Sequence, residues 1–347
     1  MIKFAQFFLL GFFFFFSIQE GYSDLRPELV IYTYSSFMAP GALGAAIFPL
    51  FEKKLNCRLR VVGVSDGGQL LTVLDLDQRR KKRGAHVVIG IDQNLWARVQ
   101  RWVESWDDWK PEGYSDLIPE SQIQSGFLPF DYAPLTFIAD YQLLEKQGLP
   151  LPQSFLELQR PEWRRRFILE DPRTSTPGLV FLLYSHSILK DKTWFFWQQL
   201  RQQWLTLSLG WEGAYSLFSR HEAPLIWSYV TSQAYHEEQG DSLGDLRRYR
   251  ALPLREGHPL QIEGAFLVKG AFGLESERRL ARKFLEFLIS PEVQGWVPRK
   301  AWMLPVRKKT PLPSSFQNLP KILNRVALPT APGQVEETLS RWRATVR

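Results

Sequence analysis

Short runs of β-branched and aromatic residues alternate along the chain with longer segments whose apolar residues recur at helical spacing. Between residues 42 and 54, for example, Leu43, Ile47 and Leu50 fall on one helical face. The predicted strands are Leu29–Tyr34, Arg58–Val64, Val87–Ile91, Leu135–Ala139, Phe167–Leu169, Leu225–Tyr229 and Gln261–Lys269. The predicted helices are Ala42–Lys54, Gly68–Asp75, Asn94–Trp102, Pro177–Leu189, Thr193–Leu205, Trp211–Ser219, Thr231–Glu238, Glu275–Ile289 and Val335–Arg347. This alternation is typical of an α/β protein with a parallel sheet covered by helices on both faces.

The first 23 residues have the pattern of a secretory signal peptide. Lys3 supplies a short basic region, and Phe4–Ile18 is almost entirely apolar. This apolar run is shorter than a membrane-spanning helix requires, and polar residues follow it. We therefore expect residues 1–23 to be cleaved on export and the remaining chain to be soluble and periplasmic. The alternative is an uncleaved N-terminal anchor, since no Ala-x-Ala motif marks a cleavage site before Asp24.

Composition and charge exclude several classes of protein. The chain has 347 residues, of which 45% are hydrophobic, and this is enough for one large domain or two ordinary ones. The net charge of +7 includes basic clusters at Arg79–Arg83, Arg164–Arg166 and Arg247–Arg250. These clusters are too scattered for the continuous basic face of a nucleic-acid-binding protein. Cys57 is the only cysteine, which rules out an intramolecular disulfide and a metal site with several sulfur ligands.

Two successive α/β units predict two lobes with a ligand cleft between them. We expect lobe 1 to comprise residues 27–129 and 264–306, and lobe 2 to comprise residues 130–263. The chain then crosses between the lobes twice, which permits a hinge motion around a ligand. Residues 307–347 form a C-terminal helical segment that the pattern assigns to neither lobe.

The predicted strand ends carry the candidate binding chemistry, because ligands of open α/β sheets bind at the carboxyl ends of strands. Aromatic rings, carboxylates and hydroxyls near helix starts occur there: Tyr34, Asp66, Asp92, Ser175, Thr176, Trp211, Tyr215, Tyr229, Thr231, Ser232, Tyr235 and Trp302. Aromatic faces beside a carboxylate suit a flat heteroaromatic cation. For each ring the alternative is burial in the core, and for each hydroxyl it is capping of a helix.

The sequence shows no established catalytic or metal-binding motif. Its histidines form no HExxH or comparable pair, and no GxSxG nucleophile motif occurs. Tyr235 and His236 match a fragment of a ferric-iron site, but such a site needs a second tyrosinate that the sequence does not identify. We therefore predict no metal, no cofactor and no catalytic residue.

Eight motifs occur in a fixed order along the chain: YTYSSF (Tyr32–Phe37), DGGQLL (Asp66–Leu71), VVIGIDQNL (Val87–Leu95), FLPFDYAPLTF (Phe127–Phe137), DPRTSTPGL (Asp171–Leu179), GWEGAY (Gly210–Tyr215), SYVTSQAYH (Ser228–His236) and AWMLPV (Ala301–Val306). This combination resembles the periplasmic thiamine-binding proteins of bacterial thiamine ABC transporters. The resemblance implies a two-lobed periplasmic-binding-protein fold of type II, with two chain crossovers and the ligand cleft between the lobes. It also implies a monomer that is not an enzyme. Such a protein captures thiamine and its mono- and diphosphate and delivers them to an inner-membrane permease with its ATPase subunit.

The resemblance also implies ligand contacts at ten positions. Tyr34 would stack on the ligand or hydrogen-bond to it, and the Asp66-Gly67 loop would meet the cationic vitamin. Ser175 and Thr176 would receive its phosphate or hydroxyethyl end while also serving the start of a helix. The remaining contacts would come from Trp211, Tyr229, Ser232, Tyr235 and Trp302.

Two departures from the family pattern lie near Tyr34. The family usually has a tryptophan shortly after the YTYxSF motif, whereas this chain continues with Phe37-Met38-Ala39. Phe37 or Met38 could supply part of the missing contact. Ser35 stands where an aspartate is common, which removes one negative charge near the site.

Two other functions are compatible with the same fold. Thiaminase I is similar in fold and uses a cysteine nucleophile, for which Cys57 is the only candidate. A small buried thiol is the alternative interpretation of Cys57. A binding protein for ferric iron, a polyamine or an anion is the other possibility.

Overall fold

The computed structural model describes residues 26–240, 248–322, 324–329, 331 and 333–346. The predicted signal peptide at residues 1–23 and the last residue of the predicted C-terminal helix, Arg347, lie outside these ranges. Within them, no helix combines the length and the apolar composition needed to cross a lipid bilayer.

The chain alternates between strands and helices along its described length. The strands are β1 (Glu28–Tyr34), β2 (Arg58–Val64), β3 (Val87–Asp92), β4 (Leu128–Asp140), β5 (Phe167–Glu170), β6 (Thr206–Ser208), β7 (Leu225–Tyr229), β8 (Tyr249–Ala251), β9 (His258–Leu267), β10 (Leu304–Pro305) and β11 (Arg325–Val326). The α-helices are α1 (Ser35–Met38), α2 (Leu43–Leu55), α3 (Gly67–Arg79), α4 (Trp96–Val99), α5 (Tyr141–Lys146), α6 (Thr176–Leu189), α7 (Thr193–Leu200), α8 (Trp211–Ser219), α9 (Ser232–Gln239), α10 (Glu275–Leu288), α11 (Pro291–Lys300) and α12 (Gln334–Val346).

The strands form one mixed sheet in the order β2-β1-β3-β9-β4-β7-β5-β6, with short β10 and β8 beside β4 and β11 beside β9. Strand β1 pairs in parallel with β2 and β3, and β5 pairs in parallel with β6 and β7. Between these two parallel groups lie β9 and β4, which are antiparallel to each other and to their outer neighbours. The molecule is therefore built from two α/β halves joined through β4 and β9.

The predicted parallel pairing is wrong for the two central strands, β4 and β9, which are antiparallel to each other and to their outer neighbours β7 and β3. Strand β4 pairs with β9 over its first half and with β7 over its second, so it joins the halves without a crossover helix. The first half of β4 was not predicted as a strand, because it contains Pro129 and Pro134 and proline is normally excluded from strand interiors. Pro129 lies at a register irregularity, and the Pro134 carbonyl accepts the Val230 N–H at 2.9 Å.

Most other elements agree with the sequence pattern. The predicted bounds of β2, β7 and α8 are those of the structure. Helix α11 was missed although it has a clear start signal, with Ser290 as N-cap and Pro291 at the first helical position. The helix predicted over Thr193–Leu205 ends at Leu200, and the chain then forms β6 beside β5.

Large aromatic side chains fill the core of the half that contains β5 and β7. The Phe181 ring lies 4.8 Å from Trp227 and 5.5 Å from Trp197, measured between centroids. Helix α12 packs onto this core, where Trp342 meets Trp197 edge to face at 5.8 Å. The C-terminal helix therefore contacts the half containing β5 and β7.

Candidate functional site

A cavity of about 560 Å³ lies where the carboxyl ends of β1 and β7 approach each other, a size typical of small-molecule sites. Nine of the ten predicted contact residues line it: Tyr34, Asp66, Gly67, Thr176, Trp211, Tyr229, Ser232, Tyr235 and Trp302. They come from both halves of the sheet, so a molecule in the cavity would contact both halves. Whether each of them touches a ligand stays a prediction.

Ser175 and Asp92 stabilise turns beside the cavity. Ser175 is the N-cap of α6, its hydroxyl accepts the Gly178 N–H at 3.4 Å, and it is not among the residues that line the cavity. Asp92 is fully buried, and one of its oxygens accepts the N–H groups of Asn94 and Leu95 at 2.9 and 3.0 Å. The two predicted hydroxyl residues at the start of α6 therefore differ in position: Thr176 lines the cavity, whereas Ser175 caps the helix.

Asp66 connects the two halves of the protein across the cleft. It precedes α3 in the half that contains β1, and its two oxygens accept the N–H groups of Thr176 at 3.0 Å and Trp211 at 3.2 Å. These are the first residues of α6 and α8, whose positive N-terminal ends favour a carboxylate. Burial nevertheless raises the pKa of Asp66 to about 6, against the lowering effect of these hydrogen bonds. Its carboxylate is therefore already engaged by backbone groups.

The next residue, Gly67, lies close to the backbone of Gly90 on β3. A Cβ atom there would lie 2.4 Å from the carbonyl oxygen of Gly90 and 3.0 Å from Cγ2 of Thr176. Only glycine fits this position without displacing β3 or α6.

Aromatic rings form the wall of the cavity contributed by α8 and α9. Trp211 stacks on Tyr215 with ring centroids 4.7 Å apart, and its Nε1 donates to the Ser228 hydroxyl at 2.8 Å. Ser228 in turn bonds to Ser232 at 3.0 Å, which fixes the orientation of the indole. These contacts leave Trp211 only partly buried, so its ring is available to a ligand.

Trp302 closes the same wall from the opposite half of the protein. It packs edge to face against Tyr235 at a centroid distance of 5.1 Å. Its backbone has φ of 55°, a conformation that is unfavourable for a bulky residue and is concentrated at functional sites. The surrounding packing therefore holds a strained residue with its indole at the cavity.

A buried glutamate that the sequence analysis missed, Glu263, also lines the cavity. It lies on β9 and accepts hydrogen bonds from the hydroxyls of Tyr34 at 2.7 Å and Tyr229 at 3.5 Å. Burial raises its pKa to about 7. Glu263 could have been identified as a glutamate inside a strand that is otherwise almost entirely buried. Such a residue is a candidate because buried ionisable groups cluster at functional sites.

The segment after Tyr34, in which the resemblance implied a missing tryptophan, lines one side of the cavity. Small residues, Ala39 to Ala42, line the cavity together with Phe37. Met38 is not among the lining residues, and its sulfur lies against Gly63 of β2. Of the two side chains suggested as replacements, only Phe37 reaches the cavity.

Of the positions considered for iron binding, Tyr235 lines the cavity but His236 does not, and Cys57, considered for nucleophilic catalysis, does not line it either. The Nε2 atom of His236 is 2.8 Å from the Tyr215 hydroxyl, and its ring stacks on Tyr249 at 3.8 Å. Across the described part of the chain, no three His, Cys, Asp or Glu side chains are grouped as metal ligands. Cys57 is fully buried in the core beside Leu29 and Phe51, and burial raises the pKa of its thiol.

The mixed sheet, its two chain crossovers and the cavity between its halves define a two-lobed solute-binding protein with the type II fold. The chain belongs to the bacterial extracellular solute-binding protein family, whose family model matches residues 86–324.

The curated relatives extend this similarity to almost the full length of the chain. The thiamine-binding periplasmic protein of Escherichia coli (strain K12) is 35% identical over 326 residues, which cover 92% of this chain and 94% of the relative. That of Salmonella typhimurium is 36% identical, with 91% of both chains covered. A solved structure of a periplasmic thiamin binding protein is 34% identical and has a TM-score of 0.82, with 94% of this chain and 98% of that chain covered.

Proposed function

We propose that this chain is the solute-binding component of an ABC importer and that its ligand is thiamine. The observation that carries the proposal is a cavity with aromatic walls and a buried carboxylate, formed jointly by both halves of the protein. A thiazolium ring gains from contact with the faces of Trp211 and Trp302 through stacking and cation–π attraction. The names of the relatives and of the similar solved structure support this choice of ligand.

The two halves act as hinged lobes in this function. Lobe 1 comprises residues 27–129 and 264–306, and lobe 2 comprises residues 130–263, with β4 and β9 as the connections. Helix α12 moves with lobe 2, because Trp342 is buried against Trp197. The ligand favours closure because both lobes contact it in the closed state.

Thiamine monophosphate and diphosphate enter the same site with their phosphates toward the starts of α6 and α8. Free N–H groups and the helix dipole make such ends suitable for phosphate oxygens. Asp66 accepts the same N–H groups, so a phosphate must share them with this carboxylate or displace it. Ser175 supports this phosphate site indirectly, by capping α6.

The protein works in the periplasm as a monomer and delivers its ligand to an inner-membrane permease with its ATPase subunit. The periplasmic relatives and the apolar segment of residues 1–23 support export of this chain. It binds its ligand without chemical conversion. Cys57, the only cysteine, is sealed in the core, so it cannot serve as the nucleophile of a thiaminase.

Mass spectrometry of the natively purified protein tests the proposed ligand. We expect thiamine or a phosphate ester to co-purify, and calorimetric titration with each compound will rank their affinities. A protein that co-purifies with another class of solute and gives no heat with thiamine or either ester would overturn the proposal.

Replacing Trp211 by alanine should weaken thiamine binding about tenfold, since a stacking and cation–π partner is lost. The measurement is calorimetric titration with thiamine. Trp109→Ala is the matched control, because Trp109 is also partly buried but packs on Trp106, away from the cavity. Equal losses of affinity in the two variants would contradict a ligand contact by Trp211.

A further inference from the structure

Two buried carboxylates face each other at the centre of the sheet. Glu263 on β9 is paired directly with Asp131 on β4, so their side chains lie on the same face. Glu263 is 7% exposed and lines the cavity, whereas Asp131 is fully buried. Neither oxygen of Asp131 has a hydrogen-bond partner among the described residues. Such an unpaired buried carboxylate is costly in its ionised form.

Among the described residues, the groups that bond to Glu263 are all neutral. Tyr34 donates to one of its oxygens at 2.7 Å, while Gln261 donates to the other at 3.1 Å. The Tyr229 hydroxyl approaches the latter oxygen at 3.5 Å. These donors come from both lobes and hold the carboxylate at the cavity, but they supply no positive charge. A cation in the cavity would balance the negative charge of the Glu263 carboxylate, and a proton bound to that carboxylate would neutralise it.

We propose that Glu263 is the residue that selects a positively charged ligand, by pairing its carboxylate with the ligand's cationic ring. Asp131 lies behind it and acts as a positioning residue, because its like charge favours a proton on the pair while the cavity is empty. This inference rests on the proposed function, in which the thiazolium ring of thiamine carries the charge.

Proton release should accompany binding. The titratable groups that act on Glu263 come from five elements: Tyr34 on β1, Asp66 before α3, Asp92 on β3, Asp131 on β4 and Tyr229 on β7. Burial raises the pKa of Glu263 to about 7 and that of Asp131 well above its usual range. An adjacent cation favours the carboxylate and lowers this pKa, so the proton of Glu263 passes to solvent when the cation binds. Affinity should therefore rise with pH up to about 7 and level off above it.

Calorimetric titration of the purified protein with two probes tests this inference. One probe is thiamine, and the other is an uncharged isostere in which carbon replaces the thiazolium nitrogen. The wild-type protein should prefer thiamine, with a binding heat near pH 7 that depends on the ionisation enthalpy of the buffer. Glu263→Gln should weaken thiamine binding about tenfold or more, change binding of the isostere little, and abolish the buffer dependence.

Two further variants separate this role from a general effect on the fold. Asp131→Asn should shift the pH dependence of thiamine affinity to lower pH, because a like charge beside Glu263 is removed. Asp77→Asn is the matched control, since Asp77 accepts the Tyr32 hydroxyl at 2.7 Å in a similar pair outside the cavity. It should leave affinity and proton release unchanged.

The outcomes distinguish this inference from the proposed function. If the wild type binds thiamine and Glu263→Gln binds it equally well, the role of Glu263 is wrong and the proposed function stands. The same holds if the wild type does not distinguish thiamine from the isostere. If it binds neither probe, the proposed function fails, and with it the role of Glu263.

Discussion

Replacing Trp227 by alanine should lower the free energy of unfolding by about 3–5 kcal/mol. Trp227 is fully buried on β7, with ring centroids 4.8 Å from Phe181 and 5.2 Å from Phe137. Its Nε1 donates to the Pro177 carbonyl in the first turn of α6 at 3.0 Å. The substitution therefore opens a cavity among aromatic rings and removes the buried Nε1 donor of the Pro177 carbonyl.

Urea unfolding of the ligand-free protein, followed by circular dichroism, measures this loss. Trp211→Ala provides the contrast, because Trp211 is only partly buried and its ring faces the cavity. We expect that variant to lose about 1 kcal/mol or less, in line with substitutions outside the core. Similar losses in the two variants would mean that Trp211 is also a core residue.

The sequence pattern predicts local structure well where one segment determines its own conformation. The start of α6 illustrates this, because Ser175 and Pro177 specify a capped helix without reference to the rest of the chain. Strand β4 illustrates the limit. Its first half contains Pro129 and Pro134, and it is a strand only because β9 pairs with it from more than a hundred residues away. No local pattern encodes that pairing.

The candidate site could likewise be predicted only in part from the sequence. The rule that ligands bind at the ends of strands led to Tyr34 and Tyr229, which both line the cavity. The same rule missed Glu263, because this residue lies within a strand that crosses between the halves. It also identified Asp66 without revealing its partners, since the N–H groups that bond to it belong to helices more than a hundred residues further along the chain.

Replacing Asp66 by alanine should raise the dissociation constant for thiamine by about thirtyfold or more. In the closed arrangement the N–H groups of Thr176 and Trp211 both lose their acceptor. An unsatisfied buried donor costs about 1–3 kcal/mol, whereas in an open cleft water would satisfy both groups. The substitution therefore lowers the closed population, and the apparent affinity falls in proportion to it. A penalty of about 2 kcal/mol corresponds to the expected thirtyfold change.

Titration calorimetry together with small-angle scattering tests this role of Asp66 in closure. Ligand-free Asp66→Ala should have a larger radius of gyration than the wild type, and saturating thiamine should restore the wild-type value. Asp75→Ala is the matched control on the same helix, since Asp75 forms exposed ion pairs with Arg79 and Arg101 and should affect neither quantity. Asp66→Asn should lie between wild type and alanine, because its amide keeps one acceptor oxygen. A thirtyfold loss of affinity in Asp66→Ala with unchanged dimensions would instead make Asp66 a direct partner of the ligand's charge, as the sequence first indicated.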